Sequence, residues 1–159
     1  MAKLVNWTPD LSVGIDAIDD QHKRIVDFIN QLNEAGLHQD RGTVNRVLEE
    51  LLEYTVSHFS FEEAMMEQAD YEFFGPHKKV HELFARRVAE YRHRFLLGED
   101  VAIEMQSTLI KWLMNHIKRE DMSYASAVRA HLNREKPRPA AKPEPRKPGG
   151  AIRKLLVRK

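Results

Sequence analysis

Apolar positions recur along the first 121 residues at the three-and-four spacing of amphipathic helices. One stripe reads Ile18, His22, Ile25, Ile29 and Leu32, with Gly36 as its expected stop. A second, after Gly42, reads Val44, Val47, Leu51, Thr55, His58, Glu62 and Met65. The third lies in PHKKVHELF and the residues beyond it: His77, His81, Phe84, Val88, Tyr91 and Phe95. Gly75 and Pro76 punctuate the turn before it, and Pro76 suits a first helical position. The fourth, after Gly98, reads Ile103, Gln106, Leu109, Leu113, His116 and Glu120, with Ile110, Met114, Ile117 and Asp121 on the adjoining face. No strand-type alternation with hairpin punctuation competes. Four such segments of about 20 residues with short connections predict an all-α protein, an up-down-up-down four-helix bundle.

Each stripe is polar at one level only. Four residues of helix advance about 400°, so His77 and His81 share a face about 40° wide. A lone interior histidine reads as a hydrogen-bonded core residue. Five of them with one or two carboxylates, spread over four apolar stripes, point instead to a metal site, because each unpaired buried group would cost several kcal/mol. The chain has no cysteine, which excludes disulfides, thiolate zinc sites, iron-sulfur clusters and thioether-linked haem. Imidazoles mixed with carboxylates suit iron, manganese or zinc, and seven ligands fit two carboxylate-bridged ions better than one tetrahedral ion. The ferritin-like plan asks for two Glu-x-x-His motifs; Glu90 and His93 form the single match, off the inward stripe. His116 to Asp121 is a five-residue step, so an ideal helix favours Glu120. Tyr54 reads as core, and His38, His93 and His131 as solvated.

Charge divides the chain. Residues 134–159 carry ten basic and two acidic side chains, a local +8, which leaves −7 on residues 1–133. Five of the seven prolines also lie in that segment, so 1–133 is expected to fold and 134–159 to form a disordered, Pro-rich basic tail. Its end, AIRKLLVRK, brings Ile152, Leu155 and Leu156 together among basic residues. That pattern could order against an anionic membrane or an acidic protein surface; the plainer expectation is a disordered, solubilising tail. Specific nucleic-acid binding is not expected, since the tail has no aromatic residue to stack on a base. No long apolar run follows Lys3 in MAKLVNWTPD, so a cytoplasmic location is expected.

Trp7 with VGIDAIDDQH, then HFSFEE, HKKVH and WLMNHIKRED resemble the motifs of the hemerythrin family, in particular its single-domain bacterial members, from Trp7 to about Asp121. The resemblance implies reversible O2 binding, without enzymatic turnover, for storage, delivery or sensing, and the basic tail could then tether the carrier to an anionic membrane or to an oxygen-consuming enzyme. It implies two non-haem iron ions bridged by carboxylates and an oxo or hydroxo group. One ion would take His77, His81 and His116, the other His22 and His58, with Glu62 and Asp121 bridging; by ligand count the second keeps one position open. Ile25, Phe59, Trp112, Leu113 and Ile117 would form the apolar O2 pocket. The alternatives are a di-iron oxidase or peroxidase, with Glu120 or Glu63 as proton donor, and an iron buffer.

Overall fold

The computed structural model describes residues 3–135, and within them the chain is a four-helix bundle. The disorder and tethering expected of the tail beyond Glu135 lie outside the described residues. Three rods are uninterrupted helices: α1 (Asp16–Leu37), α2 (Arg41–Gln68) and α3 (Phe74–Leu96). The fourth consists of α4 (Ala102–Asn115), a π-helical turn (His116–Asp121) and α5 (Met122–Glu135), joined without a break. No helix among the described residues is long and apolar enough to cross a membrane.

The apolar stripes form the core, with Ile18, Ile29, Leu51, Leu109 and Leu113 almost fully buried. The boundaries move from their expected places for local reasons. Gly36 does not stop α1 but lies inside it, where a β-carbon would stand 3.3 Å from that of Ala102, so glycine there permits close approach of α1 to α4. The chain reverses three residues later, where Gln39 takes φ +52°. Helix α2 begins at Arg41 because Asp40 caps it, accepting from the Thr43 amide at 3.0 Å and the Thr43 hydroxyl at 2.6 Å. Pro76 is the third residue of α3, still within the first turn, where its missing N–H leaves no bond unmade. In the fourth rod the inward phase starts at Ala102 and Met105, leaving Ile103 72% exposed, and near the end of α2 Met66 rather than Met65 is fully buried.

An N-terminal arm closes one side of the bundle. Val5 exchanges two hydrogen bonds with the Asn30 side chain, at 3.0 and 2.9 Å. After a 3-10 turn (Pro9–Leu11), Leu11, Val13 and Ile15 enter the core. The buried Asp19 carboxylate accepts from the Val13 amide at 2.8 Å and from the Ser12 hydroxyl, so a charged group in α1 has its partners in the arm. The arm also brings the Trp7 ring to 6.3 Å from that of His22.

Candidate metal centre

Seven polar side chains from all four rods meet in the core. His22 comes from α1, His58 and Glu62 from α2, His77 and His81 from α3, and His116 and Asp121 from the two ends of the π-turn; all seven are buried. The i,i+4 pairs follow from ordinary helical geometry. The pair on the fourth rod does not, because on a regular helix a five-residue step would turn Asp121 away from His116. Bonding from i to i+5 in the π-turn returns the fifth residue to the same face. An Asp121 oxygen stands 3.0 Å from His116 Nε2, whereas Glu120 is half-buried outside the cluster.

The donor atoms divide into two groups that share Glu62. Glu62, His77, His81 and His116 make one, and His22, His58 and Glu62 the other, each with ligand atoms mutually within 4.8 Å. Glu62 Oε2 lies 3.3 Å from His81 Nε2 and 3.6 Å from His58 Nε2, so one oxygen faces both groups. Asp121 spans them with two oxygens: Oδ1 faces His116 and His77, at 3.0 and 3.6 Å, while Oδ2 faces His22 at 3.1 Å.

These atoms fit metal ions better than one another. His81 Nε2 lies 2.9 Å from His77 Nε2 and 3.1 Å from His116 Nε2. Two imidazole nitrogens at right angles on one ion, each about 2.1 Å from it, would stand about 3.0 Å apart. His81 turns its Nδ1 to the Glu63 carboxylate at 3.1 Å, and His58 turns its Nδ1 to Gln21 Oε1 at 2.7 Å. Each therefore donates outward and presents a bare Nε2 lone pair to the cluster. His22 Nε2, His58 Nε2, Glu62 Oε2 and both Asp121 oxygens are buried without a hydrogen-bond partner. So many unmade bonds in one place are what a polyvalent cation relieves.

Burial also keeps the imidazoles ready to coordinate. It pushes His58 down to about 3, His77 to about 4 and His81 to about 2, with neighbouring imidazoles adding to the effect. Glu62 is raised well above the usual carboxylate range by burial and by Asp121 beside it. Burial works against the charge of Asp121 too, but His116 and His22 hold that carboxyl below its usual range. Without a cation the two carboxyls are thus pushed in opposite directions, Glu62 toward its neutral form and Asp121 toward its charged one.

Tyr124, Gln21 and Glu63 complete the surroundings. The fully buried Tyr124 donates its hydroxyl to Glu62 Oε1 at 2.6 Å, and its ring lies 5.3 Å from that of His77. Spacing in the sequence does not single out Tyr124, since on an unbroken helix its phase relative to His116 would be wrong. Glu63 pairs with Lys78 at 3.0 Å as well as with His81, which makes it an orienting carboxylate. Tyr54 packs on Phe28 away from the cluster, His38 and His93 are exposed, and His131 is half-buried. Replacing Tyr124 by phenylalanine strips Glu62 of its donor, at a cost of about 1–3 kcal/mol. Thermal unfolding of the metal-free protein should show it as a fall in midpoint on the order of 5 °C.

The apolar residues around the cluster fall on both groups. Phe59 stacks on His81 (ring centroids 3.8 Å apart, planes 3° apart) and lies 5.6 Å from His58. Trp112 stacks on His116 at 4.3 Å and 16°. Ile25, Leu113 and Ile117 are buried, and Trp112 is the one partly exposed member of the set.

Comparison with known proteins places this arrangement among relatives. Residues 13–128 match the hemerythrin HHE cation binding domain. Over 133 residues the chain is 51% identical to a bacteriohemerythrin of Stenotrophomonas maltophilia and 54% identical to one of Pseudomonas aeruginosa, covering 84% of this chain and 86% of each relative. A crystal structure of wild-type hemerythrin superposes with a TM-score of 0.75 at 30% identity, covering 79% of this chain and 98% of that one.

Proposed function

The chain belongs to the hemerythrin family, and is thereby a non-haem iron protein; from that premise we propose that it binds O2 reversibly at a centre of two iron ions. One observation carries the proposal. The buried donors form two groups, of three and of two imidazoles, with Glu62 common to both and an Asp121 oxygen turned to each.

In this reading His77, His81 and His116 hold one ion, His22 and His58 hold the other, and Glu62 and Asp121 bridge them. The smaller group has one imidazole fewer, and O2 is placed on that side. Bound iron supplies the reversible electron exchange with O2. The chain's own residues hold and shield it. Gln21 and Glu63 fix the outward N–H of His58 and His81, and Tyr124 fixes Glu62. Phe59 and Trp112 pack on the histidines of the cluster, and Ile25, Leu113 and Ile117 are buried within one helical turn of His22 and His116; none of the five is an acid or base, which favours release of O2 over its conversion. Glu63 and Glu120 are poorly suited as proton donors to an oxidase or peroxidase: the first is engaged by His81 and Lys78, and the second lies outside the cluster.

The test is a gas cycle. Iron-loaded protein is reduced without air, exposed to O2 and purged, while its visible absorption is followed and iron is counted. A carrier gives a band that comes and goes over many cycles with two irons per chain. One irreversible conversion, or turnover dependent on an added reductant, would replace the proposal with an enzyme.

A further inference from the structure

A groove of about 340 Å3 lies between α3 and α4, lined by Val80, Leu83, Phe84, Arg87, Thr108 and Trp112. The backbones of α3 and α4 come less close than those of α1 with α2 or α2 with α3, and the Phe84–Trp112 stack, 3.6 Å between centroids and 17° between planes, bridges the gap. Its floor is therefore aromatic and its wall aliphatic. Leu83 is left 56% exposed at the edge.

One side chain of the lining carries a charge. Farther along α3, Arg92 pairs with Glu49 at 2.8 Å and Arg94 with Glu99 and Glu104 at 2.7 and 2.9 Å, while Arg86, outside the groove lining, is without an ion pair among the described residues. Arg87 forms no ion pair among the described residues; its charge reaches Glu104, whose carboxylate is engaged by Arg94 at 2.9 Å. An apolar trough with one unpaired guanidinium at its rim matches an amphiphile with one anionic head. The volume stands at the low end for small-molecule sites, which favours a chain of moderate length.

We propose that this groove binds a medium-chain fatty acid, its alkyl chain along Val80, Leu83, Phe84 and Trp112 and its carboxylate on Arg87. Binding is tied to the metal centre, because the ring of Trp112 that floors the groove is the ring stacked on His116. The inference does not rest on the O2 reading, since the groove is formed by the protein alone.

The chain has two tryptophans, Trp7 and Trp112, so in a Trp7→Phe background all tryptophan fluorescence comes from the groove floor. Hexanoate, octanoate and decanoate are titrated into the full-length chain below their micelle concentrations. The expected result is a saturable change in Trp112 emission, with affinity rising by up to about fourfold per added methylene. Arg87→Gln should weaken decanoate by about three- to fivefold and bring it level with decanol. Leu83→Glu, at an exposed position that folding tolerates, should weaken it at least tenfold. Emission that does not saturate, or decanol binding as well as decanoate to the chain with Arg87 intact, would overturn the proposal. So would an affinity left unchanged by both groove substitutions, because the fatty acid would then be binding elsewhere.

Discussion

Glu62→Gln is expected to lower the affinity for iron by about 100-fold or more, while the metal-free protein stays at least as stable as before. The two halves of this expectation come from one feature. Glu62 Oε2 faces His58 and His81 across the boundary between the two groups, so both sets lose the same anion when it becomes a neutral amide. Without metal, burial and the neighbouring Asp121 push that carboxyl toward its neutral form. An amide of equal size removes this strain and keeps an oxygen for the Tyr124 hydroxyl. Iron counting, metal titration and thermal unfolding of the metal-free variant together check it. Two irons per chain at unaltered affinity would mean that Glu62 does not bridge.

Acid should unfold the metal-free protein at a pH that the loaded protein survives. His58, His77 and His81 have folded pKa values lowered from 6.5 to about 3, 4 and 2. Below 6.5 the unfolded chain therefore binds more protons at these three sites, and stability falls as pH falls, by about 1.4 kcal/mol per pH unit for each. Glu62 works the other way: its folded pKa is raised above 4.5, so its contribution is present in acid and lost as pH rises. Asp121, lowered from 3.8, contributes above that value and gives way only in stronger acid. Three histidines outweigh one glutamate, so net stability falls as pH drops from 6.5 toward 4.5, by on the order of a few kcal/mol. A domain of total stability about 5–15 kcal/mol would lose much of it there. Denaturant unfolding of the metal-stripped protein at several pH values measures the slope. Stability unchanged between pH 5 and 7 would show that these imidazoles are not held neutral by burial.

The Tyr124→Phe, Glu62→Gln and acid measurements together separate holding the metal from holding the fold. The first two change one partner of the same hydrogen bond, and the third titrates the imidazoles around it. A centre built on shared carboxylates predicts a large loss of metal for Glu62→Gln and a smaller, structural loss for Tyr124→Phe.

The candidate site was legible in the sequence because a regular helix carries residues three and four apart to one face. His22, His58, Glu62, His77, His81 and His116 each interrupt an otherwise apolar stripe, and that periodicity alone places them inward. The same regularity misjudged Ile103 by one position at a helix start, where phase is set by what the first turn packs against. It also favoured Glu120, since no pattern in HIKRED announces a π-turn; Asp121 rested on resemblance until packing of the fourth rod placed it.

What the sequence by itself determined is therefore the bundle, its inward stripes and the chemistry of the ligand set, all of which depend on contacts within single helices. Only the tertiary structure decided the division into groups of three and two imidazoles, the sharing of Glu62 and the spanning by Asp121. It alone brought Tyr124, Gln21 and Glu63 against the side chains of the cluster. These depend on the relative height and rotation of four separate rods, and on a π-turn accommodated where packing on both sides of it must be satisfied. Such quantities belong to the assembled core, and no spacing within one segment encodes them.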